Sequence, residues 1–404
     1  MAQYSASLSA WENDDPERGG ALNKAHHVMG KDGKTVGFRN PYPSAGAWQD
    51  ISFAGLVVSA MSARLRGKLT TPQPSGDEIP RADPDPPMRL RHRTTSSSLN
   101  VTWLGHACCL VEFPSGLRAL FDPVFQDRCG PTPWLGPKRY TPPACDIHDL
   151  PSVDAVLISH SHFDHLSCGD VNTLASRFPR ARFFVGLGLA GWFKANGIEA
   201  VTEMDWWNSV TLTLVREEEE EAQEGPGGGE ASDVDAPPRI EARISCLPSQ
   251  HASGRSAWDK DQTLWASWAV RSGPKSVWFG GDTGYRAVPE DNAKSDADSQ
   301  DLPSCPVFEQ IGRLRGPFDV GLIPIGAYKP RYLFSSWHAD PYDAVNIYRE
   351  TRCMRAIGIH WGAWVLTSEP VDEPPKLLKG ALKKAGIEET GVFDTVAIGE
   401  SRSF

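Results

Sequence analysis

Four residues of types that bind metal ions stand close together between positions 160 and 165. His160, His162, Asp164 and His165 follow the apolar run VDAVLIS, which predicts a buried strand. Positions i and i+2 of an extended chain project to the same side, so His160 and His162 can reach one cation. Asp164 and His165, beyond the bend, can then face a second cation. With 11 histidines in 404 residues, this combination is specific enough to predict a catalytic metal site.

Three further donors each follow an apolar run later in the chain. His251 follows ISCLPSQ, Asp282 follows SVWFGG and His360 follows MRAIGI. A zinc ion needs about three to five donors, so these residues must join the first cluster if two cations are to be bound. We expect one cation on His160, His162 and His251, a second on Asp164, His165 and His360, and Asp282 as the bridge. Two such cations generate hydroxide near neutral pH and stabilise both the attacking and the leaving oxygen.

A structural zinc site is the alternative interpretation of the histidine cluster. Structural sites favour closed sets of cysteine ligands, and Cys168 is the only cysteine near the cluster. His106, in the run WLGHA, is interpreted as a hydrogen-bonded structural histidine rather than as a ligand. The catalytic interpretation of the cluster is therefore the one we pursue.

The charge balance argues against one class of partner. The chain has 41 Lys and Arg against 51 Asp and Glu, a formal net charge of -10, but nine of the acidic residues lie between 217 and 235. Outside that stretch the chain is about neutral. It lacks the basic excess on which nucleic-acid binding usually rests, so we expect no nucleic-acid partner.

The cysteines and the N-terminus favour a cytoplasmic protein. The eight cysteines include no C-x-x-C pair, and the first 20 residues lack the apolar region of a secretory signal. The longest mostly apolar stretch, 53–61, is about half of what a bilayer crossing requires. We therefore expect reduced thiols and no transmembrane span.

The sequence predicts an N-terminal arm followed by one α/β domain. Residues 1–98 comprise turn-rich stretches, an amphipathic helix at 51–69 and a Pro-rich linker, whereas 99–404 alternate strand-like and helical runs, with exposed inserts at 216–238 and 288–306. The helix has an apolar face and a basic end at Arg64, Arg66 and Lys68. Residues 53–68 could dock on the core, or could bind a membrane surface peripherally.

Short motifs along the domain resemble one enzyme family. They are WLGHA at 103–107, LGPKR at 135–139, ISHSHFDHL from 158, PSQH at 248–251, GDTGY at 281–285, IPIGAYKPR at 323–331, HADP at 338–341 and IHWGAW from 359. The His-x-His-x-Asp-His cluster resembles the metallo-β-lactamase superfamily. The whole set resembles its N-acylphosphatidylethanolamine-hydrolysing phospholipases D.

This resemblance implies a four-layer αβ/βα sandwich that holds two zinc ions, with Fe or Mn as alternative metals. The implied reaction is attack of metal-bound hydroxide on phosphorus, which yields an N-acylethanolamine and phosphatidic acid. It also implies a phospholipid substrate at a membrane surface and a homodimer. The alternatives are another hydrolase of this fold, such as a lactonase or other phosphodiesterase, and a lipid-binding protein with a retained metal site.

The resemblance also assigns roles to individual residues. The seven donors above are carried over as metal ligands, with Asp164 and Asp282 counted as catalytic as well. His338, also counted as catalytic, matches a histidine near the substrate, and Asp122 matches a carboxylate that orients ligand histidines. Expected substrate contacts are Phe163, His338, Trp134 and Trp337.

Overall fold

The computed structural model describes residues 3–10, 24–46, 62, 65, 71–83, 88, 91–93, 95–217, 237–256, 258–290 and 301–404. Two large β-sheets and a small hairpin contain all of its named strands. The strands are β1 (Tyr4–Ala10), β2 (His27–Met29), β3 (Thr35–Phe38), β4 (Asn100–Gly105), β5 (Cys108–Glu112), β6 (Arg118–Phe121), β7 (Ala155–Leu157), β8 (Arg182–Gly186), β9 (Val201–Met204), β10 (Ser209–Arg216), β11 (Arg239–Leu247), β12 (Ser267–Ser272), β13 (Lys275–Phe279), β14 (Phe318–Pro324), β15 (Cys353–Ile359), β16 (Phe393–Asp394) and β17 (Ser401–Ser403).

The α-helices lie in the connections between strands β7 to β9 of one sheet and β13 to β16 of the other. They are α1 (Cys168–Arg177), α2 (Ala190–Ala195), α3 (Val307–Leu314), α4 (Arg331–Phe334), α5 (Pro341–Glu350) and α6 (Glu373–Lys384), with 3₁₀ helices at Pro43–Ala45 and Ile147–Asp149. Helix α1 begins after Ser167, whose side chain accepts the backbone N–H of Asp170, and α5 begins after Asp340, which accepts that of Asp343. These N-caps satisfy amides that the helices cannot pair internally.

The two large sheets have related topologies. The eight-stranded sheet has the order β1-β10-β11-β12-β13-β14-β15-β16, and the seven-stranded sheet has the order β17-β4-β5-β6-β7-β8-β9. Strands β6 to β9 are parallel, with Leu120 opposite Val156, and so are β13 to β16, with Leu322 opposite Ile357. Parallel strands bring their carboxyl ends to one edge, which places the residues that follow them side by side.

The sheets pack face to face and carry helices on their outer faces. Between them the ring centroids of Phe121 from β6 and Phe279 from β13 lie 4.8 Å apart. On the outer face of the seven-stranded sheet, Val171 of α1 and Phe193 of α2 pack against β6, β7 and β8. Helices α3, α5 and α6 cover the eight-stranded sheet. The predicted four-layer αβ/βα sandwich is therefore confirmed.

Parts of the N-terminal arm belong to this core, which differs from the expectation of an arm with little core of its own. Strand β1 adds to the edge of the eight-stranded sheet by pairing with β10. Tyr4, Phe38 and Ile79 are buried in the cluster between the sheets. The alternation of apolar and small polar residues over 4–10 suits an edge strand. The assignment becomes evident only in the structure, where this segment pairs with β10.

The expected helix at 51–69 lies almost entirely outside the described residues. Only Ser62 and Leu65 are described, both helical, and Leu65 is 87% exposed. Most of the two expected inserts also lies outside the described residues, although Val288 and Cys305 at the ends of the second insert are buried. Within the described residues, no helix is long and apolar enough to cross a membrane.

Candidate active site

The seven predicted ligands converge where the carboxyl ends of the two sets of parallel strands meet. The 160–165 cluster follows β7, Asp282 follows β13 and His360 follows β15, while His251 follows the antiparallel strand β11. All seven side chains are buried or nearly so. The groups of side chains that lie close enough to hold one metal ion include both predicted sets of three donors. These are the first trio, of His160, His162 and His251, and the second trio, of Asp164, His165 and His360.

The first trio brings three imidazole nitrogens together. His160 Nε2 lies 2.8 Å from His162 Nδ1 and 3.1 Å from His251 Nε2, and the latter two atoms are 3.2 Å apart. Two nitrogens on a tetrahedral zinc at 2.0–2.1 Å are about 3.3 Å apart. The observed triangle is therefore close to the size that one such ion requires.

Hydrogen bonds behind the trio determine which nitrogens carry lone pairs. The Ser159 hydroxyl donates to Asp122 Oδ2 at 2.5 Å, so it must accept from His160 Nδ1 at 2.9 Å. His251 Nδ1 donates to the carbonyl of Trp337 at 2.9 Å. The Nε2 atoms of neutral His160 and His251 consequently point lone pairs at each other. A buried arrangement of this kind is repulsive unless a cation lies between the nitrogens, so the trio fits a metal ion.

The second trio surrounds a neighbouring position. His165 Nε2 lies 3.1 Å from His360 Nε2, and Asp164 Oδ2 lies 3.4 Å from the first nitrogen and 3.5 Å from the second. His165 Nδ1 contacts Asp122 Oδ2 at 2.6 Å, which leaves its Nε2 to face the site. Two imidazoles and a carboxylate make a donor set that suits zinc and other divalent transition metals.

Asp282 lies between the two trios. Its Oδ1 is 2.8 Å from His360 Nε2 and its Oδ2 is 3.2 Å from His165 Nε2. The same Oδ2 is 3.6 Å from His251 Nε2 and 3.9 Å from His160 Nε2. This carboxylate is thus the one group that faces all four of these histidines, as a bridging ligand must.

Asp122 supports both trios from behind. Besides its contacts with the Ser159 hydroxyl and His165, it accepts the backbone N–H of Ser159 at 2.7 Å. Gly281, directly before the bridging carboxylate, has φ of +58°, and a Cβ there would lie 2.6 Å from the Cβ of Ser159. Only glycine allows the two loops to approach this closely.

The charges in the site favour a cation. Burial lowers the pKa of His160 and His251 well below the usual value, so both are neutral ligands at neutral pH. Burial would raise the pKa of Asp164 and Asp282, but His165 lowers both of them well below the usual value. Burial would lower the pKa of His165 and His360, but Asp282 and Asp164 raise the first well above the usual value and the second to about 9. A bound cation would take the place of the protons on these imidazoles.

His338 lies beside the bridging carboxylate without belonging to either trio. Its Nδ1 is 3.8 Å from Asp282 Oδ2, and its ring lies 5.1 Å from that of His251 and stacks 5.4 Å from that of His360. Burial lowers the pKa of His338 to about 4, against the opposing effect of Asp282. Nδ1 has no hydrogen-bond partner among the described residues, so it can form a hydrogen bond with a bound group.

His106 is also part of the site's surroundings. Its Nε2 contacts Asp164 Oδ2 at 3.0 Å, and its ring lies 4.1 Å from that of His360. Burial lowers its pKa to about 3. The hydrogen bond fixes Asp164, which is the kind of structural contact expected from the sequence.

The three aromatic positions expected to contact substrate lie in different surroundings. Phe163 packs beside Trp364 under the guanidinium of Arg255, which is 4.1 Å from the Phe163 ring centroid. Trp337 contributes its backbone carbonyl to His251. Trp134 is 78% exposed on its loop. Only the first two are therefore joined directly to the ligand loops.

Sequence reasoning did not identify the polar residues that hold these loops. Ser159 and Gln250 each precede a candidate ligand, and Arg255 donates to the carbonyls of Ser161 and Leu166 at 2.8 and 2.7 Å. Adjacency to a ligand was the only available signal, and serine and glutamine are too common for that signal to be specific.

Comparisons with known proteins agree with this arrangement. Residues 118–361 match the model of the beta-lactamase superfamily domain. The chain is 36% identical over 313 residues to a Caenorhabditis elegans protein named N-acyl-phosphatidylethanolamine-hydrolyzing phospholipase D 1, a match that covers 76% of each chain. It is 28% identical over 293 residues to a mitochondrial protein of the same activity name from Saccharomyces cerevisiae, covering 71% of this chain and 53% of that one.

Solved structures provide more distant matches. One is Igni18, a metallo hydrolase from the archaeon Ignicoccus hospitalis, with a TM-score of 0.47, 18% identity and coverage of 76% of this chain and 99% of that one. Another is isothiocyanate hydrolase from Delia radicum gut bacteria, with a TM-score of 0.49, 14% identity and the same two coverages.

Proposed function

Because the chain belongs to the beta-lactamase superfamily, and within it to the N-acyl-phosphatidylethanolamine-hydrolysing phospholipase D family, we propose that it is a dinuclear-zinc phosphodiesterase. Its substrate would be N-acylphosphatidylethanolamine, and its products an N-acylethanolamine and phosphatidic acid. The observation that carries this proposal is the position of Asp282 between two donor trios, with its Oδ2 3.2 Å from His165 Nε2 of one and 3.6 Å from His251 Nε2 of the other.

The residues present divide the work of such a reaction. His160, His162 and His251 would hold one ion, and Asp164, His165 and His360 would hold the other. When bound, two zinc ions supply a hydroxide nucleophile near neutral pH and neutralise charge that develops on the phosphoryl oxygens. The donors also suit Fe or Mn, so metal content needs measurement.

His338 is the group placed to act on the substrate rather than on a metal. Its Nδ1, which has no hydrogen-bond partner among the described residues, lies 3.8 Å from Asp282 Oδ2. At its lowered pKa the imidazole is neutral at neutral pH, which suits it to hold a phosphoryl oxygen or the departing ethanolamide oxygen by a hydrogen bond. We assign it substrate positioning and leaving-group stabilisation.

We propose further that the protein works at a membrane surface. Trp134 and Trp258 are exposed, Trp258 by 88%, on two loops that meet at Phe163. Cys129, at the base of the first loop, packs in the cluster that Phe163 contacts, and Arg255 of the second loop lies over the Phe163 ring. Exposed tryptophans suit the interface between lipid and water, and these flank the candidate site.

The central experiment is an assay of the purified protein in water enriched in ¹⁸O. Direct hydrolysis predicts one heavy oxygen in the phosphatidic acid and no phosphatidylalcohol when ethanol is added. A simple lactone is assayed in parallel, because a lactonase of the same fold is an alternative function. Turnover of the lactone alone, or efficient alcohol transfer, would contradict the proposal.

Asp282→Asn tests the dinuclear site in the same assay. We expect loss of activity and of at least one metal per chain, because the bridging position loses its charge. Glu241→Gln, which changes an exposed carboxylate on β11, is the matched control and should retain both metals. Unchanged activity in Asp282→Asn would remove the dinuclear proposal.

A further inference from the structure

Gln250 is a completely buried amide that joins three segments of the chain. Its Oε1 accepts the hydroxyl of Ser44 at 2.6 Å, and its Nε2 donates to the carbonyls of Ser336 at 3.0 Å and Ser44 at 3.5 Å. Its backbone N–H donates to Thr283 Oγ1 at 2.9 Å, and its carbonyl accepts the N–H of Gly284 at 2.7 Å. Both ends of the amide and both backbone groups are therefore engaged.

Two of these segments, and the segment of Gln250 itself, each carry a residue of the candidate site. Gln250 directly precedes His251, Thr283 directly follows Asp282, and Ser336 lies two residues before His338. The carbonyl of Trp337, next to Ser336, also accepts the imidazole Nδ1–H of His251. Gln250 is thus the point at which the loops of one ligand, the bridging carboxylate and the substrate histidine are fixed relative to one another.

The N-terminal segment 24–46 adds its own contacts to this point. Asn40 Nδ2 donates to the carbonyl of His251 at 2.7 Å. The carbonyl of Ser44 accepts the N–H of Ala287, beyond the bridging carboxylate, at 2.7 Å. Ser44 is itself buried, so its hydroxyl has no water to replace Gln250.

The same segment is anchored elsewhere on the sandwich. The N–H of Phe38 donates to the carbonyl of Asp261 at 2.7 Å. His26 and His27 contact the two oxygens of Asp205 through their Nε2 atoms, at 2.8 and 2.9 Å. These contacts hold residues 24–46 in place independently of the metal ligands.

We infer that Gln250 and Ser44 are positioning residues for the metal site, and that residues 24–46, which lie outside the matched range 118–361, are part of the functional unit. The pair sets the relative positions of His251, Asp282 and His338. Displacements of about 1 Å at such groups can cost a hundredfold in rate. Contacts behind metal ligands typically change metal affinity 10- to 100-fold. The inference rests on the proposed function only for the identity of the substrate.

Two substitutions test the pair. Ser44→Ala removes the hydroxyl, and Gln250→Glu replaces the donor to Ser336 with an oxygen that repels that carbonyl. We expect each to raise the dissociation constant for zinc about 10-fold or more when the apoprotein is titrated, because the His251 loop is no longer fixed. Ser44→Thr, which keeps the hydroxyl, should restore most of the affinity.

Thr35→Val is the matched control in the same segment. It removes the 2.8 Å hydrogen bond between Thr35 Oγ1 and His27 Nδ1, at the far end from the site. It should lower the melting temperature without changing zinc affinity. If the Ser44 and Gln250 variants behave like this control, with zinc affinity within twofold of wild type, the inference is wrong. Asn40→Ala, at a half-buried residue, provides a milder substitution if either variant fails to fold.

The zinc titration separates this inference from the proposed activity. Weakened zinc binding in a protein that never hydrolyses N-acylphosphatidylethanolamine would leave the positioning roles in place and remove the proposed substrate. Normal hydrolysis of N-acylphosphatidylethanolamine with unchanged zinc affinity in both variants would support the proposed substrate and remove the positioning roles.

Discussion

At the scale of single residues, Asp122 and Ser159 determine what the ligand histidines can do. The Asp122 carboxylate accepts one hydrogen bond from the Ser159 hydroxyl and one from His165 Nδ1. The serine hydroxyl in turn accepts a hydrogen bond from His160 Nδ1. Both imidazoles are thereby held with Nε2 facing the site. A residue that binds no metal thus prepares one ligand of each trio.

Asp122→Asn should weaken zinc binding about 10- to 100-fold, because the neutral amide no longer fixes His165 and Ser159. Metal titration of the apoprotein measures this directly. Asp170→Asn is the control, since Asp170 is also buried and accepts the backbone N–H groups of Phe125 and Gln126 away from the ligands. Equal metal affinity in the two variants would contradict the role given to Asp122.

His338→Gln should lower kcat roughly 100-fold or more while both metals stay bound, because the role proposed for this side chain is to contact substrate rather than metal. Steady-state kinetics and metal analysis of the same sample test the two parts. His148→Gln alters an exposed histidine and should leave both quantities unchanged. Loss of a metal from His338→Gln would instead make this residue a ligand.

At the scale of elements, the hairpin β2–β3 is attached through His27, whose protonation opposes folding. Burial lowers the pKa of His27 below 6.5, although Asp205 acts in the other direction. The unfolded chain therefore binds a proton at His27 more readily than the folded chain does. Stability from this group is present above pH 6.5 and is lost as the pH falls towards the folded pKa.

His27→Gln should consequently lose less stability than the wild type when the pH is lowered from 7.5 to 5.5. Urea unfolding at the two pH values gives the difference for each protein. The exposed His148→Gln variant should lose as much as the wild type. A pH dependence that is the same in all three proteins would exclude His27 as the sensitive group.

The connection between the N-terminal region and the seven-stranded sheet depends on a buried ion pair. Arg93 contacts the two oxygens of Asp154 at 2.7 and 2.8 Å, with both side chains almost completely buried. Asp154→Ala should lower the free energy of unfolding by about 3–5 kcal/mol, because it removes the buried carboxylate that accepts from the Arg93 guanidinium and from the backbone N–H of Arg118. Glu241→Ala, which breaks an exposed pair with Arg239, should cost about 0–1 kcal/mol by the same urea titration. If both substitutions lower the free energy of unfolding by similar amounts, the pair of Arg93 and Asp154 is effectively solvated.

At the scale of the whole molecule, the two loops that meet at Phe163 carry the exposed apolar side chains of Trp134 and Trp258. Met354 offers a comparison, since it is 58% exposed but lies near the amino end of β15, whereas His360 lies beyond the carboxyl end. An approach to lipid through the site should therefore depend on Trp134 and Trp258 and not on Met354.

Trp134→Ser with Trp258→Ser should reduce binding to N-acylphosphatidylethanolamine vesicles several-fold, because exposed aromatic rings favour the lipid interface. Vesicle sedimentation measures the bound fraction, and Met354→Ser should bind like the wild type. Equal binding by all three proteins would move the membrane contact to another surface, and residues 53–68 would be the next segment to test.

The sequence alone determined the ligand types, their order and the strands that precede them. Apolar runs followed by His or Asp are local signals, and parallel strands place the residues after them at one edge. The family-level conclusions, an αβ/βα sandwich and a metal-dependent hydrolase, followed from the family resemblance that the motifs carry and are confirmed. The assignment of each ligand to one of two ions remains a prediction.

Only the tertiary structure showed what holds the ligands. The hydrogen bond between Ser44 and Gln250 joins residues 206 positions apart, and the one from Asn40 to His251 spans 211. Serine, asparagine and glutamine follow no periodic pattern, and their partners are fixed by packing rather than by sequence spacing. For the same reason residues 24–46 resembled a polar arm in the sequence, although in the folded protein they contact the loop that carries His251.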